Sequence, residues 1–383
     1  MKVDLLLKGG HVIDRDQEIN EMADVAVKDG RIWDVSSKLS VEAKETIDAE
    51  GCIVSPGLID NHLHMYADAT DAGIDANIGL LPNGVTTGVE GGSPGVANYE
   101  QYRKTVINQS RVRIKCYISA ASTGMITRKY PENFNPDYFE RERICALFKK
   151  YPDELKGLKI RFSKPIIGEL GMRPLEEVVK LADEIGCHVT VHITNPAADV
   201  GEIARRLRPG DILCHIYQGK GDTILDENDR VKPLVREARN RGVFMDACNG
   251  AFNFSIDVAK KAIADGFYPD IISTDYNTMT MYHHPVISLP YLMSKYLAFG
   301  MKVEDVFAAC TSTPARAIGM SGEIGTLHPG APADIAVFRL EERNVLFYDC
   351  HENTMEGRQI LVPKMTVKDG CIMFRQVTFN KEL

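Results

Sequence analysis

Short apolar runs that end in a polar residue recur through the middle of the chain, and they predict buried parallel strands. Clear examples are residues 188–192 (His-Val-Thr-Val-His), 211–215 (Asp-Ile-Leu-Cys-His) and 270–275 (Asp-Ile-Ile-Ser-Thr-Asp). Such runs, followed by polar or glycine residues, are typical of strands covered on both faces. An amphipathic helical stretch, residues 175–185, precedes the first of them. This alternation predicts βαβ units and a parallel sheet.

Both ends of the chain show a different pattern, in which short strand-like segments are separated by turns. The turn sequence Lys-Asp-Gly occurs at residues 28–30 and again at 368–370. Asp-Gly is a strong hairpin signal between two strand segments. The similar pattern at the two ends predicts that they pair with each other in one small domain.

A chain of 383 residues suits an α/β barrel of about 250 residues with a smaller module. About eight strand candidates lie between the ends, which favours a closed (β/α)8 barrel over a doubly wound sheet. We predict the barrel over residues 55–320, and a small β-sandwich domain from residues 1–54 together with 321–383. Residues 303–320 are predicted to form the closing helix, with a break at Thr313-Pro314.

The composition is that of an ordinary soluble protein, with 44% hydrophobic and 26% charged residues. The formal net charge of −8 argues against a general nucleic-acid binder, which usually carries a basic excess. No run approaches the roughly 18 apolar residues of a membrane span, and the N-terminus shows no signal-peptide cleavage pattern. The nine cysteines include no Cys-x-x-Cys pair and are interpreted as reduced core residues. We expect a cytoplasmic protein that acts on a small molecule, with no nucleic-acid or membrane partner.

Candidate metal ligands stand at the ends of the predicted strands. His62 and His64 follow an apolar segment, and residues two apart on a strand point to the same side. Neutral imidazole is a common zinc ligand, although a His-x-His pair alone also occurs by chance. A barrel brings the carboxyl ends of its strands together in a ring. Further candidates at such ends are Lys159, His192, His215 and Asp275.

Several motifs together resemble the amidohydrolase superfamily, in its dihydroorotase-like and hydantoinase-like branch. They are the Pro-Gly-Leu-Ile-Asp-Asn-His-Leu-His sequence at residues 56–64, the Ser-Thr-Pro-Ala-Arg-Ala-Ile-Gly sequence at 312–319, and residues 325–335. Within that branch, residues 157–163 and 269–275 are most similar to the amidohydrolase/deacetylase group. The resemblance covers essentially the whole chain.

The resemblance implies a (β/α)8 barrel, a β-sandwich built from both termini, and two divalent metal ions, with zinc expected. It implies that His62 and His64 bind the more buried ion together with Asp275. His192 and His215 are then the ligands of the more exposed ion, and Lys159 bridges both as a carbamate derived from carbon dioxide. Residues 246–254 depart from the group, because Asn249 stands where a Gly-His-Gly segment is expected.

The proposed role of Lys159 requires a modified side chain, since an ammonium group carries the same charge as the cations and has no lone pair. A neutral amine can react with carbon dioxide to give a carbamate, whose two oxygens can bridge ions about 3.5 to 4 Å apart. An exposed or ion-paired lysine is the alternative interpretation, and Lys164 becomes the candidate if the strand register slips. Asp275 is expected to orient water, accept its proton and return it to the leaving group; the alternative is a helix N-cap.

Substrate-binding candidates are weaker. Arg161 lies two residues beyond Lys159 and is predicted to clamp a carboxylate, with a structural ion pair as the alternative. The glycine-rich loop after the second strand, residues 91–95, contributes Ser93, and its glycines are equally consistent with a simple turn. Two histidines, His283 and His284, follow the eighth strand and could reach the pocket. The remaining pocket candidates are Tyr217, Asn249 and Asn277.

The favoured function is a binuclear, zinc-dependent amidohydrolase that cleaves a C–N bond of an N-acyl amino acid or related amide, or an ester of an α-substituted acid. The alternative enzyme is a cyclic amide hydrolase of the dihydroorotase or hydantoinase type. A non-catalytic scaffold and a phosphoryl hydrolase are the remaining classes considered; the complete ligand set argues against the first, and scarce basic loop sequence against the second. A symmetric homo-oligomer is expected.

Overall fold

The computed structural model describes residues 2–379. Met1 and residues 380–383, which are the ends of the predicted terminal domain, lie outside the described residues. In chain order, the strands are β1 (Lys2–Asp14), β2 (Ile19–Lys28), β3 (Arg31–Ser36), β4 (Glu42–Asp48), β5 (Ile53–Pro56), β6 (Leu58–Leu63), β7 (Val85–Glu90), β8 (Arg113–Ser119), β9 (Leu155–Arg161), β10 (His188–His192), β11 (Ile212–Cys214), β12 (Phe244–Asp246), β13 (Ile335–Tyr348), β14 (Thr354–Lys368) and β15 (Cys371–Arg375).

The helices lie mainly between the strands of the middle region. They are α1 (Ala76–Leu80), α2 (Tyr99–Thr105), α3 (Arg141–Lys150), α4 (Lys164–Ile167), α5 (Arg173–Ile185), α6 (Val200–Arg206), α7 (Pro233–Asn240), α8 (Ile256–Ala264), α9 (Leu289–Ala298), α10 (Val303–Ala308) and α11 (Ser312–Ala317). Short 3-10 turns occur at Leu81–Asn83, Ile107–Gln109, Pro136–Tyr138 and Gly168–Leu170.

Seven parallel strands form the central sheet, in the order β12-β11-β10-β9-β8-β7-β6. An eighth segment lies along both edges of this sheet, since Ile271 forms a parallel bridge with Asp246 and Tyr276 forms one with Leu63. The backbone N–H of Asp275 also donates to the carbonyl of His62 at 2.8 Å. These contacts bring the last strand-like run beside the first, so the carboxyl ends of the strands surround one region.

The predicted helix at residues 175–185 is confirmed as α5. Leu175, Val178 and Leu181 are buried and recur at helical spacing, so that one face packs on the sheet while the other faces solvent. The helix ends at Ile185. The next residue, Gly186, has a φ of 79°, a left-handed conformation that glycine adopts without strain.

The closing region differs from the prediction in the position of its break. Residues 303–320 form two helices, α10 and α11, and the interruption lies at 309–311 rather than at Thr313-Pro314. Pro314 occupies the first turn of α11, where a missing backbone N–H removes no intrahelical hydrogen bond.

A cluster of buried, mainly apolar side chains joins strands of the central sheet to the region of α11. This cluster packs against α11 and includes Ile59, Val89, Tyr117, Ile212, Ile271, Ala315 and Ile318. All of these side chains are 2% exposed or less. These side chains form part of the buried core between the central strands and α11.

The strands from both termini form one eight-stranded sheet, in the order β15-β14-β13-β5-β1-β2-β3, with β4 paired to β1. The predicted pairing of the two ends is therefore present as a sheet, while the β-sandwich arrangement and the domain boundaries at 54/55 and 320/321 remain predictions. Strand β5 crosses the first boundary and pairs with both β1 and β13. Gly57 then links β5 to β6, and a Cβ atom there would lie 2.2 Å from Thr86 Oγ1.

None of the helices in the part of the chain described here is long and apolar enough to cross a membrane.

Candidate metal centre and active site

The six predicted ligands converge at the carboxyl ends of the strands. Lys159 Nζ lies 3.0 Å from His62 Nε2, and His64 Nε2 lies 3.2 Å from Asp275 Oδ1. His62, His64 and Asp275 hold ligand atoms within 4.8 Å of one another, close enough to share one cation. The rings of His192 and His215 are 4.4 Å apart, and His215 is 5.4 Å from His62.

Two of these side chains owe their direction to an unusual backbone conformation. His215 follows β11 with a φ of 63°, and Asp275 follows the eighth strand-like run with a φ of 52°. Non-glycine residues rarely adopt this left-handed conformation, which costs about 1–3 kcal/mol and tends to persist at functional sites. The turn at each position ends the strand and directs the side chain toward the shared region.

His215 supplies a direct test of whether a cation fits. Its Nδ1 lies 2.6 Å from the carbonyl oxygen of Cys248, so this nitrogen carries the hydrogen and donates it. Nε2 is consequently left with a lone pair. That atom is buried and has no hydrogen-bond partner among residues 2–379, although such groups are normally satisfied. A neutral imidazole nitrogen in this setting can donate its lone pair to a metal ion, so a cation fits at this position.

Burial keeps most of the histidines neutral. It lowers the pKa of His215 to about 4, and it holds the pKa of His62 well below its ordinary value, helped by the charge of Lys159. Burial and the neighbouring His215 do the same for the pKa of His192. Neutral imidazole is the form that binds a cation, so these three side chains are ready to act as ligands at neutral pH.

His64 differs because acidic groups surround it. Burial alone would lower its pKa, but hydrogen bonds with Asp275 and Glu90 raise the pKa above its ordinary value. Its Nδ1 lies 2.9 Å from Ser93 Oγ and 3.5 Å from Glu90 Oε1. Glu90 in turn accepts backbone hydrogen bonds from Ser93 and Met65. The predicted substrate contact Ser93 therefore lies beneath His64, where it fixes the ring together with Glu90.

Two more carboxylates connect the strand ends below the ligands. Asp60 accepts hydrogen bonds from the backbone and hydroxyl of Thr274, and Asp246 accepts from Ser273 and from the backbone of Cys248. Burial raises the pKa of both Asp60 and Asp246 to about 7. These contacts hold the segment before Asp275 against its neighbouring strands.

A cavity of about 100 Å³ opens over the cluster. His62, His64, Lys159, His192 and Asp275 line its floor. The walls are formed by Met125, Arg128, Arg161, Ala251, Phe252, Asn253 and Asn277. The cavity is therefore polar at its base and is bounded by two guanidinium groups, an aromatic ring and two amides.

The model of the amidohydrolase family matches residues 53–373, which include all six candidate ligands. The chain belongs to the amidohydrolase family. The resemblance inferred from the motifs is therefore confirmed. Because this family match covers most of the chain, the protein is assigned as a hydrolase.

Individual relatives agree with this assignment. A deacetylase from Agrobacterium fabrum is 33% identical over 341 residues, which are 88% of this chain and 83% of the relative. The crystal structure of an adenine deaminase has a TM-score of 0.91 and 26% identity, and covers 98% of this chain and 100% of its own. The crystal structure of a dihydroorotase has a TM-score of 0.86 and 30% identity, with coverage of 96% and 97%.

The remaining predicted residues of this amidohydrolase fall into two groups. Arg161 and Asn277 line the cavity, whereas Tyr217 and Asn249 are buried outside it. The Tyr217 hydroxyl donates to the carbonyl of Phe267 at 2.6 Å, so this side chain belongs to the core.

The surroundings of the two lysines and of Asp275 decide between the roles that the sequence left open for them. Lys164 is exposed at the start of α4, so the buried Lys159 is the lysine of the cluster. Asp275 is the N-cap of no helix within residues 2–379, because the next helix along the chain, α9, is capped by Ser288.

The two histidines that follow the eighth strand-like run do not reach the cavity. The His284 ring packs at a tilt against Tyr348, with ring centroids 4.4 Å apart. Neither His283 nor His284 lines the cavity.

Sequence reasoning missed three side chains of the site: Glu90 and Asn253 contact the cluster, and Arg128 lines the cavity above it. Glu90 was visible as a carboxylate at the end of the second strand-like run, a position equivalent to that of the ligands. Asn253 donates to Asp275 Oδ2 at 2.7 Å and accepts from Thr194, and Arg128 donates to Asn277 Oδ1 at 3.1 Å. Asn253 and Arg128 stand in loops, where no periodicity indicates which way a side chain points.

Proposed function

We propose that this amidohydrolase is a binuclear metal-dependent enzyme that cleaves a C–N bond of a small N-acyl amino acid or related amide. The proposal includes esters of α-substituted acids, because attack on either carbonyl uses the same groups. The observation that carries it is the buried, unpartnered Nε2 of His215 beside three further histidines, a lysine and an aspartate. The predicted (β/α)8 barrel and terminal β-sandwich belong to the same proposal.

The residues that would hold the metal ions are those of the cluster. His62, His64 and Asp275 would hold one ion, and His192 and His215 would hold the other, with Lys159 shared between them as a carbamate. In forming the carbamate, the neutral Nζ of Lys159 bonds to the carbon of carbon dioxide and releases a proton. Bound divalent cations, with zinc expected, would acidify water toward neutral pH and polarise the scissile carbonyl.

Asp275 is the proposed general base and acid. Burial alone would raise its pKa, but the hydrogen bond with His64 and the nearby His215 hold the pKa below its ordinary value, so the group is a carboxylate at neutral pH. Oδ1 faces His62 and His64, while Oδ2 accepts from Asn253 and keeps a second lone pair. Oδ2 accepts the proton of the attacking water and returns it to the leaving nitrogen.

The cavity walls favour an anionic substrate. Arg161 was predicted as the carboxylate clamp, but its guanidinium donates to the buried carboxylate of Glu132 at 2.9 Å, which is the alternative ion pair. Arg128 is exposed at the mouth, where its guanidinium donates to Asn277 Oδ1 at 3.1 Å. Its backbone N–H donates to Asp71 Oδ2 at 3.0 Å, but no carboxylate among the described residues forms an ion pair with the guanidinium within 4.0 Å. We propose that Arg128 binds the substrate carboxylate, with Arg161 beside it.

The central experiment combines metal removal with a substrate panel. Purified protein is analysed for metal content, treated with a chelator, and then reconstituted with zinc. The panel contains N-acetyl amino acids, α-acyloxy acids and cyclic imides. We expect about two ions per chain, loss of hydrolysis on chelation and recovery with zinc. Hydrolysis that persists without metal would contradict the proposal. Selective cleavage of cyclic imides would instead support the dihydroorotase-type alternative. That alternative is considered because the chain is 30% identical to a dihydroorotase of known structure.

Replacing Arg128 with Gln is expected to raise KM for an N-acyl amino acid by about 10- to 100-fold, because a charged hydrogen bond is worth roughly 1.5–3 kcal/mol. KM for the corresponding uncharged carboxamide should change much less. Steady-state kinetics on both substrates measure this difference. Lys129→Gln is the matched control, since it removes a neighbouring exposed charge that does not line the cavity. Equal changes in KM for the two substrates would mean that Arg128 does not bind the carboxylate.

A further inference from the structure

Asn249, which replaces an expected histidine, is turned away from the cavity and toward α9. It is 1% exposed, and its Oδ1 accepts from Lys295 Nζ at 3.4 Å. Its Nδ2 donates to the hydroxyl of Tyr296 at 3.4 Å. Asn249 is thus a hydrogen-bond partner of two buried residues on α9.

Lys295 is fully buried and has only neutral partners. Its ammonium donates to the carbonyl of Tyr348 at 3.2 Å as well as to Asn249, and it lies 4.4 Å from the centroid of the Phe254 ring. Within residues 2–379, no carboxylate lies within 4.0 Å of Nζ, and burial lowers the pKa of Lys295 to about 7. A buried amine of this kind depends on each hydrogen bond it makes.

Residues 247–255, which we call the Asn249 loop, are also held by the tip of the β13–β14 hairpin. Asp349 Oδ2 accepts from the backbone N–H of Ile256 at 2.9 Å, directly after the loop. The N–H of Cys350 donates to the carbonyl of Phe254 at 3.4 Å. Lys295 contacts both structures, because Tyr348 is the last residue of β13 and Asn249 belongs to the loop. The outer side of the loop is therefore fixed by α9 and the hairpin together.

The inner side of the Asn249 loop contacts the candidate ligands. The carbonyl of Cys248 accepts from His215 Nδ1, and Asn253 donates to Asp275 Oδ2. Gly250 has a φ of 61°, and a Cβ atom at this position would lie 2.4 Å from Asp275 Oδ2. Small displacements of this loop therefore move the partners of both His215 and Asp275.

We propose that Asn249 and Lys295 form a matched pair of positioning residues, which hold the Asn249 loop in the place that orients His215 and Asp275. The asparagine amide supplies an oxygen that accepts from Lys295 and an N–H that donates to the Tyr296 hydroxyl, so it joins the loop to two side chains of α9. The proposal rests on the proposed function, since it concerns how the same site is kept in order.

A double-mutant cycle tests this pairing. Asn249→Leu and Lys295→Met each remove one partner and leave the other buried without it, while the double variant replaces both with apolar groups of similar shape. We expect each single variant to lower kcat by about tenfold, as outer partners of metal ligands do, with KM changed less than about twofold. The double variant should recover most of this loss. Zinc affinity, measured by competition with a chelator, should likewise fall in each single variant and largely recover in the double variant.

Ser294→Ala is the matched control for a structural effect. Ser294 is buried on the same helix and accepts from the N–H of Leu361 in β14, but no hydrogen bond within residues 2–379 joins its side chain to the Asn249 loop. This variant should lower Tm without changing kcat or zinc affinity. If Asn249→Leu and Lys295→Met behave like Ser294→Ala, or if the double variant is as impaired as the sum of the two, the positioning proposal is overturned.

Zinc competition separates this proposal from the proposed function. If the wild-type protein binds zinc but cleaves nothing in the substrate panel, the proposed function fails, and the pairing is still judged by the affinities of the four proteins. If Lys295→Met does not fold, the kcat and zinc affinity of Asn249→Leu alone are compared with those of Ser294→Ala. Unchanged zinc affinity and kcat in Asn249→Leu would then overturn the pairing.

Discussion

Replacing Asp275 with Asn is expected to lower kcat by about 10²- to 10⁴-fold, the range that general acid–base catalysis contributes. The amide keeps the size of the side chain but cannot accept the proton of the attacking water. Asn253 already donates to Oδ2 of Asp275, so one rotamer of the new amide retains an oxygen at that position. The loss should therefore appear mainly in kcat.

The pH profile distinguishes loss of the base from loss of structure. The pKa of Asp275 is held below its ordinary value, so the wild-type enzyme should keep its base deprotonated down to acidic pH. The variant should have low activity throughout the neutral pH range, and neither raising nor lowering the pH should restore it. Asp68→Asn, which changes an exposed carboxylate on the loop after β6, is the control and should retain wild-type kcat. Wild-type kcat in Asp275→Asn would remove Asp275 from the proposed mechanism.

The ligands on strands could be predicted because strand geometry is local. His62 lies in β6, Lys159 in β9 and His192 at the end of β10, so their position relative to the strand ends follows from short apolar runs. Arg161 also obeys the alternation, because β9 continues through it and both Lys159 and Arg161 reach the cavity. What the sequence does not reveal is that the buried Glu132, a loop residue, pairs with this arginine.

The alternation fails beyond two of the left-handed positions, His215 and Cys248, although Asn277, two residues after Asp275, does line the cavity. Tyr217 stands two residues after His215, but the φ of 63° at His215 turns the chain, and Tyr217 enters the core. Cys248, with a φ of 35°, precedes Asn249 in the same way, and Asn249 faces α9. Such backbone conformations depend on tertiary contacts, so a sequence pattern of period two cannot predict side-chain direction past them.

The extent of the terminal strands also could not be predicted from the sequence pattern. The sequence pattern predicts only short strand segments near the C-terminal Lys-Asp-Gly turn, but β13 extends to Tyr348 and β14 begins at Thr354. The added length carries charged and polar residues and lacks a clear alternation. Its tip packs on the Asn249 loop, so its place is decided by contacts that are distant in the sequence.

Lys159→Ala is expected to reduce the metal content from about two ions per chain to one or none, and to lower kcat by about 10³-fold or more, since a metal ion supplies several kcal/mol of transition-state stabilisation. Lys159 is 2% exposed and its Nζ lies 3.0 Å from His62 Nε2, so no solvent-facing role explains its position. Without the carbamate, the four imidazoles and a single carboxylate would face two dications, and one of the cations would lack an anionic ligand.

Lys164→Ala is the control that the sequence itself provides, because this lysine is the candidate in a shifted register. It is exposed at the start of α4 and should retain both metal ions and wild-type kcat. Elemental analysis and kinetics on the two variants, with Tm to confirm folding, separate the possibilities. A short carboxylic acid added to Lys159→Ala should restore part of the activity if it occupies the place of the carbamate. Two ions per chain in Lys159→Ala would show that the four histidines and Asp275 hold both cations by themselves, and the bridging role of Lys159 would then be wrong.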